Sequence, residues 1–246
     1  MKTGKVRLDR RLVASGLAPT RERARALILA GCVEVSGRRL SKPGASVGRE
    51  EPVALGGPDH PYVSRGGVKL EGALRSFRVT PEGRVAMDVG ASTGGFTHCL
   101  LLQGARRVYA VDVGYGQFAW SLRTDPRVVL LERTNVRSLA KERVPEPIDL
   151  AVMDVSFISL KKVIPCVVPF LAPQGEMICL VKPQFEAGKG KVGKGGVVRN
   201  PEQIREILAD MRSFVEEQKL LFCGVCESVL QGPKGNREFF LYARQS

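Results

Sequence analysis

Two stretches of this 246-residue chain carry residue types that can do chemistry. In Leu180-Val-Lys182-Pro-Gln-Phe a lysine follows an apolar run, and a partly buried lysine beside another cation loses proton affinity and becomes a usable base. Lys69 is the candidate second cation. In Asp88-Val-Gly90-Ala91-Ser92-Thr93-Gly94-Gly95-Phe96-Thr97 the glycines let the backbone turn sharply and approach a ligand at the start of a helix. Asp112 closes the next apolar run, 22 residues after Gly90, where a carboxylate can accept hydrogen bonds from ribose hydroxyls. Asn135 follows the third run and is expected near an adenine. These residues predict a nucleoside cofactor beside a lysine base, with a nicotinamide dinucleotide as the competing ligand.

The elements that must position them follow from the apolar runs Val85 to Val89, Val108 to Val113, Val128 to Leu131, Leu150 to Val155 and Met177 to Val181. Unbroken apolar strands indicate a sheet covered on both faces, and intervening helices such as Pro201 to Gln218 make it a doubly wound α/β sheet with ligands at the strands' carboxyl ends. A final strand is expected from Glu238. Gly188 to Gly195 nearly matches a phosphate-binding P-loop, but Gly195 replaces the required Ser or Thr and no helix pattern begins there. Lys189, Lys191 and Lys194 are therefore expected in a basic loop near RNA phosphate. Trp120 is expected in the core or a pocket wall. His60 and His98 have no third ligand at metal spacing, and Cys223 and Cys226 form a single C-x-x-C pair, so no metal site is expected.

Charge separates the two ends of the chain. With 38 Lys plus Arg against 25 Asp plus Glu the net charge is +13, and residues 1 to 60 hold 12 basic and 6 acidic side chains, almost half that excess in a quarter of the length. Such asymmetry points to a polyanion, most commonly nucleic acid. Arg7, Arg10 and Arg11 fall at helical spacing around Leu8 and Leu12; Thr20 is a good N-cap for a second helix that carries Arg21, Arg23 and Arg25. Short strands follow at Val33 to Val35 and Arg38 to Leu40, joined by Ser36-Gly37. Arg7-Leu-Asp-Arg-Arg-Leu, Gly16-Leu-Ala, Arg21 to Ala30, Gly31-Cys-Val-Glu-Val and Lys42-Pro43 resemble the small α+β RNA-binding domain first seen in ribosomal protein S-four. Gly56-Gly-Pro-Asp-His-Pro61 reads as a linker, which divides the chain into residues 1–60 and 61–246. No stretch approaches the roughly 20 apolar residues of a spanning helix. The basic start, without a secretory apolar core, leads to an expected cytoplasmic location.

The spacing D-x-G-x-x-x-G resembles the S-adenosylmethionine loop of Rossmann-like class I methyltransferases, which implies that cofactor on Asp88, Gly90 to Phe96, Asp112, Asn135 and Asp154. After the fourth run the chain reads Asp154-Val-Ser-Phe, not the D-P-P-Y type element of enzymes that methylate exocyclic amines. Cys166 lies too far along for pyrimidine carbon-five chemistry, and no three-cysteine radical cluster exists. An alcohol acceptor remains, and a ribose 2′-hydroxyl reacts poorly unless a base removes its proton. Lys69, Asp154, Lys182 and Glu238 match in order the Lys-Asp-Lys-Glu set of FtsJ-type ribose methyltransferases. That resemblance implies Lys182 as proton acceptor or relay, Asp154 and Glu238 orienting the lysines, and Lys69 holding the hydroxyl or lowering the proton affinity of Lys182.

Tyr62-Val-Ser-Arg65-Gly-Gly-Val-Lys69-Leu, Asp88 to Thr97, Val111-Asp-Val-Gly-Tyr-Gly-Gln117, Asp125-Pro-Arg-Val, Asp154 to Leu160 and Lys182 to Gly188 are similar to the TlyA family across nearly the whole chain. The family implies methylation of a cytidine 2′-hydroxyl in ribosomal RNA, with Arg65 joining the RNA-binding set, and many members carry the label hemolysin. It implies a large-subunit target, some members also modifying small-subunit RNA; longer, dual-specificity members extend past the last strand, and this chain's stop at Ser246 favours the large subunit. Two other functions stay in view: a non-catalytic RNA-binding assembly factor, and a membrane-lytic protein, which the lack of a strongly amphipathic apolar helix disfavours.

Overall fold

The computed structural model describes residues 4–56, 60–188, 192–193 and 195–245. Lys189, Lys191 and Lys194, and the centre of the expected linker at 57–59, lie outside them.

The amino-terminal part runs β1 (Lys5–Arg7), α1 (Leu8–Ala14), α2 (Arg21–Leu29), β2 (Val33–Val35), β3 (Arg38–Arg39), β4 (Ser46–Gly48) and β5 (Val53–Leu55). β1 pairs with β4, and β3, β2 and β5 form a second antiparallel sheet. Leu8, Leu12, Ala24, Ile28, Val33, Val35 and Val47 make its small core. Thr20 caps α2, its hydroxyl accepting the Arg23 N–H at 3.1 Å. Arg7 departs from the expected helical surface. It ends β1 in extended conformation and stands as the N-cap of α1, because pairing with β4 holds it there and the next two N–H groups bond to Ala45 and Pro43 carbonyls.

The larger part runs α3 (Gly66–Phe77), β6 (Val85–Val89), α4 (Gly95–Leu102), β7 (Arg107–Val111), α5 (Trp120–Arg123), β8 (Val128–Leu131), β9 (Ile148–Met153), α6 (Ile164–Val167), β10 (Leu171–Val181), α7 (Pro183–Glu186), α8 (Pro201–Glu217), β11 (Leu220–Glu227) and β12 (Phe239–Gln245). Its seven strands lie in the order β11-β12-β10-β9-β6-β7-β8, with β12 antiparallel to both neighbours. Along β6, Val85, Met87 and Val89 enter one core and Ala86 the other, which explains the unbroken apolar runs: both faces are covered. From β6 the chain steps outward to β7 and β8, then returns to β9 on the other side, so β6 and β9 flank the switch point where such sheets bind ligands.

Trp120 is neither core nor cavity wall. Phe118 and Leu122 occupy the inward positions around it, packed beside Gly94, and leave the indole 77% exposed. The two parts of the chain touch where the Arg65 guanidinium donates to Ser41 Oγ at 2.7 Å. The segment between them is fastened to α4 by His98, whose Nδ1 accepts the Val63 N–H at 3.1 Å; burial lowers the proton affinity of this ring.

Candidate active site

The glycine loop sits over the switch point. Gly90 and Gly94 adopt φ of 86° and 93°, and a β-carbon at either would lie 2.5 Å from a neighbour, the Asp154 carbonyl oxygen at Gly90 and a Leu122 methyl at Gly94. Only glycine fits at both positions. Asp112 braces this loop: its Oδ2 accepts the Ser92 N–H at 2.7 Å and its Oδ1 the Gly114 N–H at 2.6 Å. Asp88 is fully buried beneath, with Oδ2 accepting both the N–H and the hydroxyl of Thr97 and Oδ1 without a partner. Burial pushes its carboxyl up to about 7, against the Thr97 hydrogen bonds, and the charges of Asp154 and Asp112 act in the same direction as burial.

The four charged residues form two ion pairs. Lys182 Nζ lies 2.6 Å from Asp154 Oδ1 as an ion pair, and donates to the Val155 carbonyl at 3.0 Å and to Ser156 Oγ at 2.8 Å. Lys69 Nζ lies 2.5 Å from Oε2 of Glu238, a carboxylate with no exposed side-chain surface. Each pair joins distant segments. Lys182 follows β10 and Asp154 follows β9, adjacent parallel strands; Lys69 lies on α3 and Glu238 just precedes β12.

Both pairs present one member to a single cavity of about 510 Å³. Lys69 and Asp154 line it, with the glycine loop from Gly90 to Thr93, Gly95 and Phe96, and with Ser64, Arg65 and Gly66 at the start of α3. Leu29, Ser41, Lys42 and Pro43 of the amino-terminal part close one side, and Gln231 to Lys234 another. Gly232 presses on the second pair, since a β-carbon there would fall 1.9 Å from Glu238 Oε1. Beyond Lys182, Glu186 fastens the neighbouring loop by accepting from Ser159 Oγ at 2.5 Å and the Leu160 N–H at 2.9 Å, and Phe157, 91% exposed with φ 65°, packs on Phe185.

Of the residues expected at the site, the structure gathers Lys69, Asp154, Lys182, Glu238, Asp88 and the glycine loop, with Asp112 behind the loop. Asn135 stands apart: it is exposed, outside the cavity lining, and its side chain accepts the Arg137 N–H at the start of a 3₁₀ turn. Cys166 is half-buried in α6 and also lies outside the lining. Arg10, Arg23 and Arg25 are exposed on α1 and α2, Arg11 is partly buried, and Arg7 and Arg21 are bonded to Asp9. Ser156, Glu186, Gly232 and Asp9 gave no signal of their own in the sequence, because each acts through a partner distant in the chain or through one close contact.

The FtsJ-like methyltransferase family model matches residues 62–245 and the S4 domain model residues 6–53. A Mycobacterium tuberculosis protein named 16S/23S rRNA (cytidine-2′-O)-methyltransferase TlyA is 48% identical over 242 residues, covering 98% of this chain and 90% of that one. The chain belongs to the TlyA family of FtsJ-like methyltransferases. Within the TlyA family it is also similar to Hemolysin A of Brachyspira hyodysenteriae, 38% identical over 96% of this chain and 99% of that one. A solved structure from Streptococcus thermophilus that carries a hemolysin label superposes with a TM-score of 0.78 at 38% identity, covering 99% of this chain and 90% of that chain. Among the described residues no helix of this TlyA-family chain is long and apolar enough to cross a membrane. An S-adenosylmethionine-dependent methyltransferase from Mesorhizobium loti, 16% identical over 71% of this chain and 96% of that chain with a TM-score of 0.51, shares the fold alone.

Proposed function

We propose that this protein transfers a methyl group from S-adenosylmethionine to the 2′-hydroxyl of a cytidine in ribosomal RNA, in the cytoplasm. The observation that carries the reading is the convergence of the Lys182–Asp154 and Lys69–Glu238 pairs on one cavity bordered by the glycine loop. The site suits the cofactor: the loop at Gly90 and Gly94 has no room for a side chain, and Asp88 Oδ1 is a buried acceptor without a partner. Bound there, S-adenosylmethionine supplies an electrophilic methyl group. Asp112 keeps the loop in shape through Ser92 and Gly114.

The protein's own task is to place a ribose hydroxyl and take its proton. Lys182 is held by Asp154, Val155 and Ser156, and as the neutral amine, once its own third proton has passed to solvent, it accepts or relays the proton of the hydroxyl. Lys69, fixed by Glu238, holds the hydroxyl from α3. Alignment supplies most of the acceleration. Arginines of the amino-terminal part dock the RNA through its phosphates, and that part also walls the cavity through Ser41, Lys42 and Pro43. The test is transfer of labelled methyl from S-adenosylmethionine to separated ribosomal subunits from a strain lacking this gene. Label in the RNA of one or both subunits, and none in subunits from the parent strain, is the expected result. Cofactor binding with no labelled RNA from either source of subunits contradicts the reading.

A further inference from the structure

The arginines expected to meet RNA are not equivalent, and one acidic residue distinguishes them. Asp9, in the first turn of α1, has no exposed side-chain surface. Its carboxylate receives Arg7 in a bidentate fork, Nε to Oδ1 at 3.0 Å and Nη2 to Oδ2 at 2.8 Å, and Arg21 Nε to Oδ2 at 3.0 Å. Its Oδ1 also accepts the Arg10 main-chain N–H at 2.9 Å. Gly44 packs on the other side of Arg7, where a β-carbon would lie 3.1 Å from Nη1. Arg7 ends β1 and Arg21 opens α2, so one buried carboxylate orients two arginines from different elements.

Both arginine side chains remain 47% exposed. A guanidinium has five N–H donors; Arg7 gives two to Asp9 and Arg21 one, so several on each are left to meet an anion. A free arginine loses rotamer entropy when it is ordered. Here Asp9 has already imposed the order.

We propose that Asp9 is a positioning residue that locks Arg7 and Arg21 into a preformed clamp for RNA phosphates. The inference rests on the RNA-docking reading of the amino-terminal part. It makes a prediction opposite in sign to simple charge attraction. Replacing Asp9 by a neutral residue makes the protein more positive by one charge, which would tighten binding to any polyanion if net charge governed it. Loss of the clamp weakens binding instead.

The experiment uses full-length Asp9→Asn, with binding to purified ribosomal subunits measured at several salt concentrations. The expected result is affinity lowered about tenfold, the worth of one charge-assisted hydrogen bond, and a salt slope shallower by about one for each phosphate that the arginines no longer neutralise. KM for subunits rises while kcat and S-adenosylmethionine affinity stay at wild-type values, a split that general destabilisation would not give. Arg7→Lys is the second variant: it keeps the charge but cannot form the fork, and it too weakens binding. Unchanged or tighter binding by Asp9→Asn overturns the proposal, as does a loss that appears equally in cofactor affinity. Wild-type methyl transfer with binding unaffected by Arg7→Ala and Arg21→Ala overturns it while leaving the methyltransferase reading in place.

Discussion

Gly90 and Asp154 meet so closely that a β-carbon on the glycine would sit 2.5 Å from the aspartate's carbonyl oxygen. The loop proposed to hold the cofactor and the strand end that carries a proposed catalytic carboxylate are thus one packed unit. Gly90→Ala should displace both. Its left-handed backbone adds strain of about 1–3 kcal/mol for any side chain. The expected outcome is cofactor affinity reduced by about tenfold or more, read by calorimetry, with methyl transfer falling in parallel. Gly83→Ala is the control: φ there is 70° but nothing lies within 4 Å, so stability drops and cofactor affinity holds.

The two ion pairs should respond differently to loss of their lysines. Lys69→Ala strands Glu238, whose side chain has no exposure, whereas Lys182→Ala leaves Asp154 with 27% of its side chain open to water. Removing the partner of a buried charge costs about 3–5 kcal/mol, so Lys69→Ala should be the less stable variant in urea. Both should lower kcat about 100-fold or more with cofactor affinity within a few-fold of wild type. Lys69→Met with Glu238→Leu should regain stability and stay inactive.

Much of this fold is legible in the sequence, for a physical reason. Strands covered on both faces need apolar residues throughout, so β6 shows as an unbroken run with the bounds the structure gives. β11, at the sheet edge with many half-exposed residues, is not among the expected strands: its apolar Leu220-Leu-Phe-Cys stretch is short and Gly224 interrupts it. β10 begins at Leu171, but Pro173 and Gly175 hide its first half. The four charged residues are picked out by their resemblance in order to the FtsJ-type set together with strand-end placement, whereas which lysine meets which carboxylate depends on packing between residues as distant as Lys69 and Glu238, 169 residues apart. Asp9 carries no signal in the sequence beyond its place among arginines; its burial and its bonds to Arg7 and Arg21 appear only in the fold.

Gly232 offers a narrower test of the second pair. A β-carbon at this position would overlap Glu238 Oε1, at 1.9 Å, and the glycine itself lines the cavity. Gly232→Ala should therefore push Glu238 off Lys69 without touching the glycine loop. Turnover falls about 100-fold, as for direct loss of Lys69, and calorimetry shows unchanged cofactor affinity.

Two aspartates should act on stability with opposite pH signs. The Arg7 guanidinium bonded to Asp9, with help from Arg21, lowers its carboxyl to about 2 from 3.8, against the burial that raises it. The stability it contributes is present above pH 3.8 and disappears as pH falls through about 2. Burial raises Asp88 from 3.8 to about 7, so its contribution is largest at low pH and declines as pH rises from 3.8 to about 7. Asp88→Asn should flatten the fall in stability between those values, and Asp9→Asn should leave that fall unchanged while weakening the acid limb. Urea titrations from about pH 2 to pH 8 check both.

On the proposed reading the methyl group ends on a ribose oxygen. The most direct measurement is to label ribosomal RNA with the purified enzyme and S-adenosylmethionine, hydrolyse it in alkali, and identify the labelled product. An alkali-resistant dinucleotide with the label on a 2′-O-methylcytidine is the expected result, and its yield should collapse with Lys182→Ala. Label released in alkali-sensitive mononucleotides, carried on a base, would contradict the ribose assignment and the role given to Lys182.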